Sequence, residues 1–287
     1  MTRTHQGFLY RLARVTALHS LARILGIYKA LNFLLRRIPF CCRLKNHGTI
    51  IRLNSLTGIA TAEEIFKAKV YHEAIQSGKI ETFADLGCNI GLFACYLLES
   101  TNNKRLMGVL IDGDPAMVEQ SRWHLKKNQL TDCEAVFGVV GCCTDSIDTD
   151  FYVYPSNTQS SAMPLKENHP FDVHGNIKHI KAPSVSLAKI WTSRFGNRPI
   201  DLLKIDIEGM ELDFLKAEID FVKSSVRRIV CEWHKWHISF EELNQYLEAN
   251  GFRLQGISEE DERFGVATYE TIVPMLTDPI ILDIQKA

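Results

Sequence analysis

A chain of 287 residues, 46% apolar and 23% charged, can bury one large core with an appendage, which excludes a disordered or fibrous polypeptide. The net charge of −1 hides an asymmetry: residues 1–62 hold ten Lys or Arg and no Asp or Glu, so the remainder carries −11. The eight cysteines include the adjacent pairs Cys41-Cys42 and Cys142-Cys143 and form no C-x-x-C, a pattern of reduced thiols in a cytoplasmic protein rather than a disulfide framework or a structural zinc site.

In chain order, Leu9, Leu12, Val15, Leu18, Leu21, Leu25, Tyr28 and Leu31 recur every three or four positions, which predicts an amphipathic helical stripe over residues 8–38. Basic side chains interrupt it before any uncharged run reaches the roughly 18 residues of a membrane span. Arg36, Arg37 and Pro39 mark its C-terminal end. Residues 1–75 are read as this basic helical arm with a short lead-in, and residues 76–287 as the main domain. The arm admits three roles: helices packed on the main domain as a lid or homodimer contact, peripheral contact with an anionic membrane surface, or an organelle targeting peptide.

An extended segment is predicted at residues 50–53 and a helix at 61–76. Strand-like runs then alternate with helical ones: strands at 80–85, 106–111, 135–140, 200–205 and 228–232, helices at 92–99, 116–127, 211–216 and 240–249. This alternation predicts a doubly wound α/β sheet of parallel strands with helices on both faces. Residues 144–183 break the rhythm, with FYVYP alternating like an exposed strand and SNTQSSAM forming a polar loop, and are read as an insertion in the domain. In such sheets ligands bind beyond the carboxyl ends of the strands, where strand order reverses.

The first such end is FADLGCNIGLF, residues 83–93. Asp85 ends the apolar run, and Gly87 and Gly91 let the backbone turn tightly and approach a ligand. A dinucleotide fingerprint needs G-x-G-x-x-G and a helix N-terminus open to a pyrophosphate. Here one glycine is missing and an acid shares the space, which disfavours a diphosphate and suits a cationic ligand end, such as the ammonium and sulfonium of S-adenosyl-L-methionine. A second acid, Asp112 in IDGDP, lies 21 residues beyond Gly91, where Rossmann-like sites bind ribose hydroxyls.

Together with IDLLKIDIEGMEL at 200–212 and Glu232 and His234 in CEWHKW, these segments resemble the FkbM-type S-adenosylmethionine-dependent methyltransferases over residues 79–234. The resemblance implies a Rossmann-like class I methyltransferase fold with a mostly parallel seven-stranded sheet. It implies methyl transfer to a hydroxyl oxygen of a sugar, glycan or other natural product, with S-adenosyl-L-homocysteine as product. On this resemblance the cofactor-binding residues are Asp85, Gly87, Cys88, Asn89, Gly91, Asp112, Gly113 and Val139. The chain departs from the family pattern twice: Asp112-Gly113 replaces Glu-Pro, and Ser186-Leu187-Ala188 lacks the acid expected after Thr-Leu.

Methyl transfer is an in-line displacement that first needs alignment, and a base that takes the hydroxyl proton adds about two to four orders of magnitude. His234 is the first choice for that base because its unperturbed pKa is about 6.5, and Glu208 the second. Asp206 and Glu232 complete the candidate catalytic set. Alternation places Asp206 with Lys204, and Glu232, His234 and Trp236 together opposite Trp233, while Glu208 and Glu211 are expected on neighbouring turns of the following helix. Asp206, Glu208 and Glu211 offer hard oxygen ligands for Mg²⁺, but they are few and Lys204 is close, so a metal is not favoured.

The rival readings are an NAD(P)-dependent oxidoreductase, which the missing glycine disfavours, and a non-catalytic methyltransferase-fold scaffold. Nucleic-acid methylation is disfavoured by the acidic main domain and the lack of an N-P-P-Y motif. The acceptor pocket is expected from residues 156–176, the N-terminal helices and residues 232–237.

Overall fold

The computed structural model describes residues 26–141, 148–154, 160–163 and 177–272. The stripe from Leu9 to Leu25, the Cys142-Cys143 pair and most of residues 156–176 lie outside them.

The centre is a seven-stranded sheet in the order β10-β11-β9-β8-β3-β4-β5. Its strands are β3 (Thr82–Leu86), β4 (Met107–Asp112), β5 (Cys133–Phe137), β8 (Leu202–Ile205), β9 (Arg228–His234), β10 (Phe252–Glu260) and β11 (Phe264–Thr271). β3, β4, β5, β8 and β9 pair in parallel, and β11 runs antiparallel to both its neighbours. The chain winds outward from β3 through β4 to β5, then returns to place β8 on the other side of β3. The switch point is therefore at the carboxyl ends of β3 and β8, where a doubly wound sheet opens a crevice.

Helices cover both faces. One core cluster joins Phe83, Leu110, Leu202 and Val230 to Leu92, Phe93 and Leu97 of the helix Leu92–Thr101. The other joins Ala84, Leu86, Leu203, Ile205, Ile229 and Cys231 to Trp191, Phe214, Leu215, Leu243 and Leu247. Those side chains come from the helices Leu187–Phe195, Glu211–Ser225 and Phe240–Ala249. Alternate strand residues feed opposite faces. On the first face the apolar side chains give way, toward the strand ends, to Asp85, Lys204 and Glu232.

Several elements differ from the sequence expectation. The helix predicted at 61–76 is three pieces: an α-helix Leu56–Glu63, a π-helical turn Glu64–Ala68, and a short helix His72–Gln76 after Lys69 turns left-handed at φ 61°. β5 leaves the sheet at Phe137 because Val139 bridges to Ser184, ahead of the helix at Leu187. The helix predicted at 211–216 continues to Ser225, with non-helical geometry at Glu218, whose carboxylate accepts from the amides of Leu187 and Ala188. That carboxylate caps the N-terminus of the helix Leu187–Phe195.

The insertion is a hairpin of β6 (Asp148–Val153) and β7 (Lys178–Pro183). The lead-in is a second hairpin, β1 (Phe40–Arg43) with β2 (Ile50–Leu53), preceded by the helix α1 (Tyr28–Arg37). Ile51, Leu53, Ile65, Tyr71 and Ile75 sit in the same core cluster as Phe83 and Phe93, so residues 50–75 pack as part of the main body. The described cysteines are all free thiols.

The turn between β1 and β2 is anchored by one side chain. Glu99, buried, accepts from the backbone amides of Asn46, His47 and Thr49 at 2.7, 3.2 and 3.3 Å. Bonds to an ionised acceptor are the stronger kind. Glu99→Ala is therefore expected to lower unfolding free energy by about 2–4 kcal/mol in urea titrations, with faster hydrogen exchange at Asn46 and Thr49.

Candidate active site

Strand register builds the site. Asp85 on β3 is the partner of Lys204 on β8, and Ile205 is the partner of Cys231 on β9, so one residue further on Asp206 comes level with Glu232. All four project from the same face of three adjacent strands. Lys204 Nζ lies 3.2 Å from Asp85 Oδ1, 3.1 Å from Asp206 Oδ2 and 3.3 Å from the carbonyl of Gly87. Burial works against the ammonium, but Asp206 and Asp85 outweigh it and hold the lysine pKa above its ordinary value. Burial raises the Asp85 carboxyl, with Lys204 opposing. Asp85 Oδ2 has no hydrogen-bond partner among the described residues.

The glycine turn leans directly on β8. Gly87 has φ 72°, and a Cβ there would run into the carbonyl oxygen of Asp206, so only glycine fits. The amides of Gly87 and Cys88 donate to Ile111 O, Asn89 N donates to Asp112 Oδ2 at 2.8 Å, and Gly91 N donates to Cys88 O. These four donors are spent inside the protein. The turn is thus a poor cradle for a diphosphate, whose oxygens need open amides. Asp112 also accepts from Asp114 N at 2.8 Å; burial pushes its carboxyl up to about 7, with the two amide donors opposing.

Beyond β8 the chain does not enter the helix directly. Glu208 sits in a left-handed turn at φ 52°, not on the helix, and the helix starts at Glu211. The turn still brings both acids to one imidazole: Glu211 Oε1 is 2.7 Å from His234 Nδ1 and Glu208 Oε2 is 3.2 Å from Nε2. Glu232 Oε1 lies 3.7 Å from the same Nε2. Burial disfavours the imidazolium, but Glu208, Glu211 and Glu232 prevail and hold the His234 pKa well above the usual histidine value. Burial pushes the Glu208 carboxyl up, with His234 opposing and Asp206 and Glu211 adding.

A cavity opens in front of this row. Gly87, Cys88, Asn89, Asp112, Gly113, Val139, Asp206, Glu208 and Glu232 all line it. Asp85 and Gly91 stand behind the turn. His234, the first choice for the base, is 3% exposed in its side chain, holds carboxylates at both nitrogens and does not line the cavity. Glu208, the second choice, does. Trp236 packs against His234 with ring centres 4.4 Å apart and planes tilted by 54°, whereas Trp233 is fully buried against Phe240.

The insertion covers the other side. Phe151 of β6 rests on Gly113, where any Cβ would collide with its ring, and Ser161 Oγ donates to Glu208 O at 2.7 Å. Sequence reading missed Glu64, Tyr71 and Phe151, all of which line the cavity. Glu64 opens the π-helical turn, and among the described residues no cationic group comes within ion-pair distance of it. Burial, Glu259 and Asp206 push its carboxyl up to about 8.

Asp206, Glu232 and His234 each offer one ligand atom within 4.8 Å of the others, a spacing a divalent ion can use. The set first considered for Mg²⁺ is different, because Glu211 is committed to His234 and to Gly209 N. At the Asp206 corner the Lys204 ammonium already supplies positive charge.

The strand order, with the acid and glycine turn at the switch point, is that of the Rossmann-like class I methyltransferases. Residues 85–254, more than half of the chain, match the model of the methyltransferase FkbM domain, and the chain belongs to this family of S-adenosylmethionine-dependent methyltransferases. No curated protein matches it in sequence. Among solved structures, it is similar to TrmK of M. capricolum in complex with S-adenosyl-homocysteine, at 10% identity and a TM-score of 0.42, covering 72% of this chain and 68% of that one. It is also similar to a SAM-dependent methyltransferase from Aquifex aeolicus, at 16% identity and a TM-score of 0.41, covering 74% and 93%. TYW2 of M. jannaschii in complex with AdoMet gives 16% and 0.41, covering 81% and 87%. These likenesses are too distant to bear on what the chain methylates.

The Lys204 ammonium offsets part of the burial penalty on the Asp85 carboxyl. Lys204→Met is expected to lower unfolding free energy by about 3–5 kcal/mol, because it leaves buried carboxylates unpaired. The Asp85→Asn, Lys204→Met double variant should recover part of that loss in the same denaturation experiment.

Proposed function

We propose that this methyltransferase acts on a hydroxyl oxygen of a sugar, glycan or other natural-product acceptor. The observation that carries the reading is the convergence of Asp206, Glu208 and Glu232 on one cavity with the glycine turn and Asp112. When bound, the cofactor supplies a methyl group activated by its sulfonium.

The residues present suit that group. The amides of the turn are used internally while carboxylates face the cavity, a donor set that selects a cationic ligand end over a diphosphate. Gly87, Cys88 and Asn89 would lie against the methionyl part, with Asp85 and Gly91 setting the turn behind them. Asp112 would accept from the ribose hydroxyls, and Gly113 and Val139 would flank the base. Of the acids, Asp85 and Asp206 already share Lys204, and Glu208 and Glu232 flank His234. Glu64 is left as the carboxylate for the ligand's ammonium.

Glu208 would take the acceptor's proton. Burial makes its carboxylate more basic than a solvated one, which favours proton transfer near neutral pH. His234, fixed by Glu211, holds Glu208 in place from behind and balances its charge. Asp206 and Glu232 would accept hydrogen bonds from other acceptor hydroxyls and so orient the attacking oxygen.

With methyl-labelled S-adenosylmethionine and a panel of hydroxyl acceptors, Glu208→Gln should lower kcat by about two to four orders of magnitude while leaving S-adenosylhomocysteine affinity unchanged. Equal rates would remove Glu208 from the chemistry, and label on nitrogen alone would overturn the hydroxyl reading. Glu64→Gln is expected to weaken S-adenosylhomocysteine by about tenfold, the loss of one charge-assisted contact, without affecting 5′-methylthioadenosine, which lacks the amino-acid end. Parallel losses for both ligands in calorimetry would refute the role of Glu64.

A further inference from the structure

The helix α1 is unlike the others in the structure. It contains no buried residue, although its sequence YKALNFLLRR is half apolar. Its inner side is set by Tyr28, Leu31, Asn32 and Leu35, spaced three and four apart and half-buried, and Asn32 Oδ1 accepts from Leu56 N at 2.9 Å. At about 100° per residue, Ile27, Ala30, Leu34 and Ile38 form a second apolar arc beside that inner side. Lys29, Phe33, Arg36 and Arg37 occupy the rest of the circumference.

The second arc faces outward. Ile38 is 69% exposed, Phe33 58%, Leu34 53% and Ile27 43%, and Phe40 at the start of β1 is 54% exposed. These are five of the eight exposed large apolar side chains among the described residues, gathered within fourteen positions. A contiguous apolar patch of this kind marks a contact surface. The same stretch of chain carries charge of one sign: Lys29, Arg36 and Arg37 on the helix and Arg43 and Lys45 just after it, with no acid before Glu63. The Arg37 guanidinium stacks over Phe33 at 4.6 Å, so charge and apolar surface are presented side by side.

We propose that this face of α1 and β1 rests on an anionic membrane surface. The chemistry selects among occupants. A second copy would set basic border against basic border across a twofold interface. The preceding sequence carries Arg3, Arg11, Arg14 and Arg23 without an acid, so it offers no counter-charge either. A nucleic-acid backbone answers the arginines but gains nothing from an exposed aliphatic arc. An anionic bilayer surface answers both, with acyl chains for the arc and headgroups for the basic border. Among the described residues no helix is long and apolar enough to cross a membrane; the proposed contact is one of lying on the surface. An enzyme held this way would meet acceptors displayed on lipid.

The test uses the full chain with vesicles of phosphatidylcholine alone and of phosphatidylcholine mixed with phosphatidylglycerol. Sedimentation with the anionic vesicles only, weakened by added salt, is expected. The Leu34→Glu, Ile38→Glu pair and the Arg36→Glu, Arg37→Glu pair should each lower vesicle binding by about tenfold or more. Unchanged circular dichroism and melting of both variants would show that the fold is intact. Four results would overturn the proposal: no sedimentation with anionic vesicles, equal sedimentation with neutral ones, dimerisation abolished by the Leu34 and Ile38 changes, or tighter binding to RNA than to vesicles. If a variant melts early, Phe33→Ser, beside that arc and 58% exposed, takes its place with the same expected loss.

Discussion

The buried ammonium of Lys204 is the constraint on which the site depends. It touches the carboxylate that ends β3, the carboxylate that follows β8 and a carbonyl of the glycine turn, and so fixes three backbone segments at the switch point. A charge this deep is tolerated only because acceptors surround it. The arrangement also divides labour among the acids. Asp85 and Asp206 neutralise the lysine, and Asp206 also faces the cavity with Glu64, Glu208 and Glu232. Asp85, the residue that in sequence looked like the ligand's partner, meets Lys204 through Oδ1, while its Oδ2 has no hydrogen-bond partner among the described residues.

Much of the sheet was legible because its central strands are apolar runs with turn residues at fixed places. β3, β4, β8 and β9 fall within two residues of where the runs lie. The terminal hairpin was not legible, for a physical reason. β10 is an edge strand in which Phe252, Leu254 and Ile257 are separated by polar residues and glycine and whose register shifts twice, so no apolar run betrays it. In β11 the apolar run is interrupted at Gly265, where a Cβ would collide with the Trp233 ring of the neighbouring strand. Within the site, the period-two spacing of Lys204 and Asp206, and of Glu232 and His234, announced a shared face. The left-handed turn at Glu208 was hidden, since nothing in a non-glycine residue signals a positive φ. Glu64 was hidden by the π-helical turn: one extra residue per turn rotates the helix surface, so a count made at α-helical spacing assigns the wrong side chain to the inner face.

The electrostatics of the cavity are set by crowding. Glu64, Asp206, Glu208 and Glu232 meet with Lys204 and His234 to balance them and Arg263 acting on Glu64, and burial adds to their mutual repulsion. Such a cavity is unfavourable when it holds water alone and improves when a cation enters. Its affinity for a sulfonium amino acid would arise in part from relief of strain already present, which is also why the free protein is expected to be less stable than its complex.

The bond from Ser161 to the carbonyl of Glu208 ties the insertion to the proposed base. The position of the insertion and that of Glu208 are thereby coupled. An insertion tuned to a different acceptor also repositions the backbone that aims Glu208, so exchanging this hairpin between relatives would not transplant preference alone. New acceptors in such a scaffold are reached by paired changes, one in the insertion and one in the segment after β8, rather than by loop exchange.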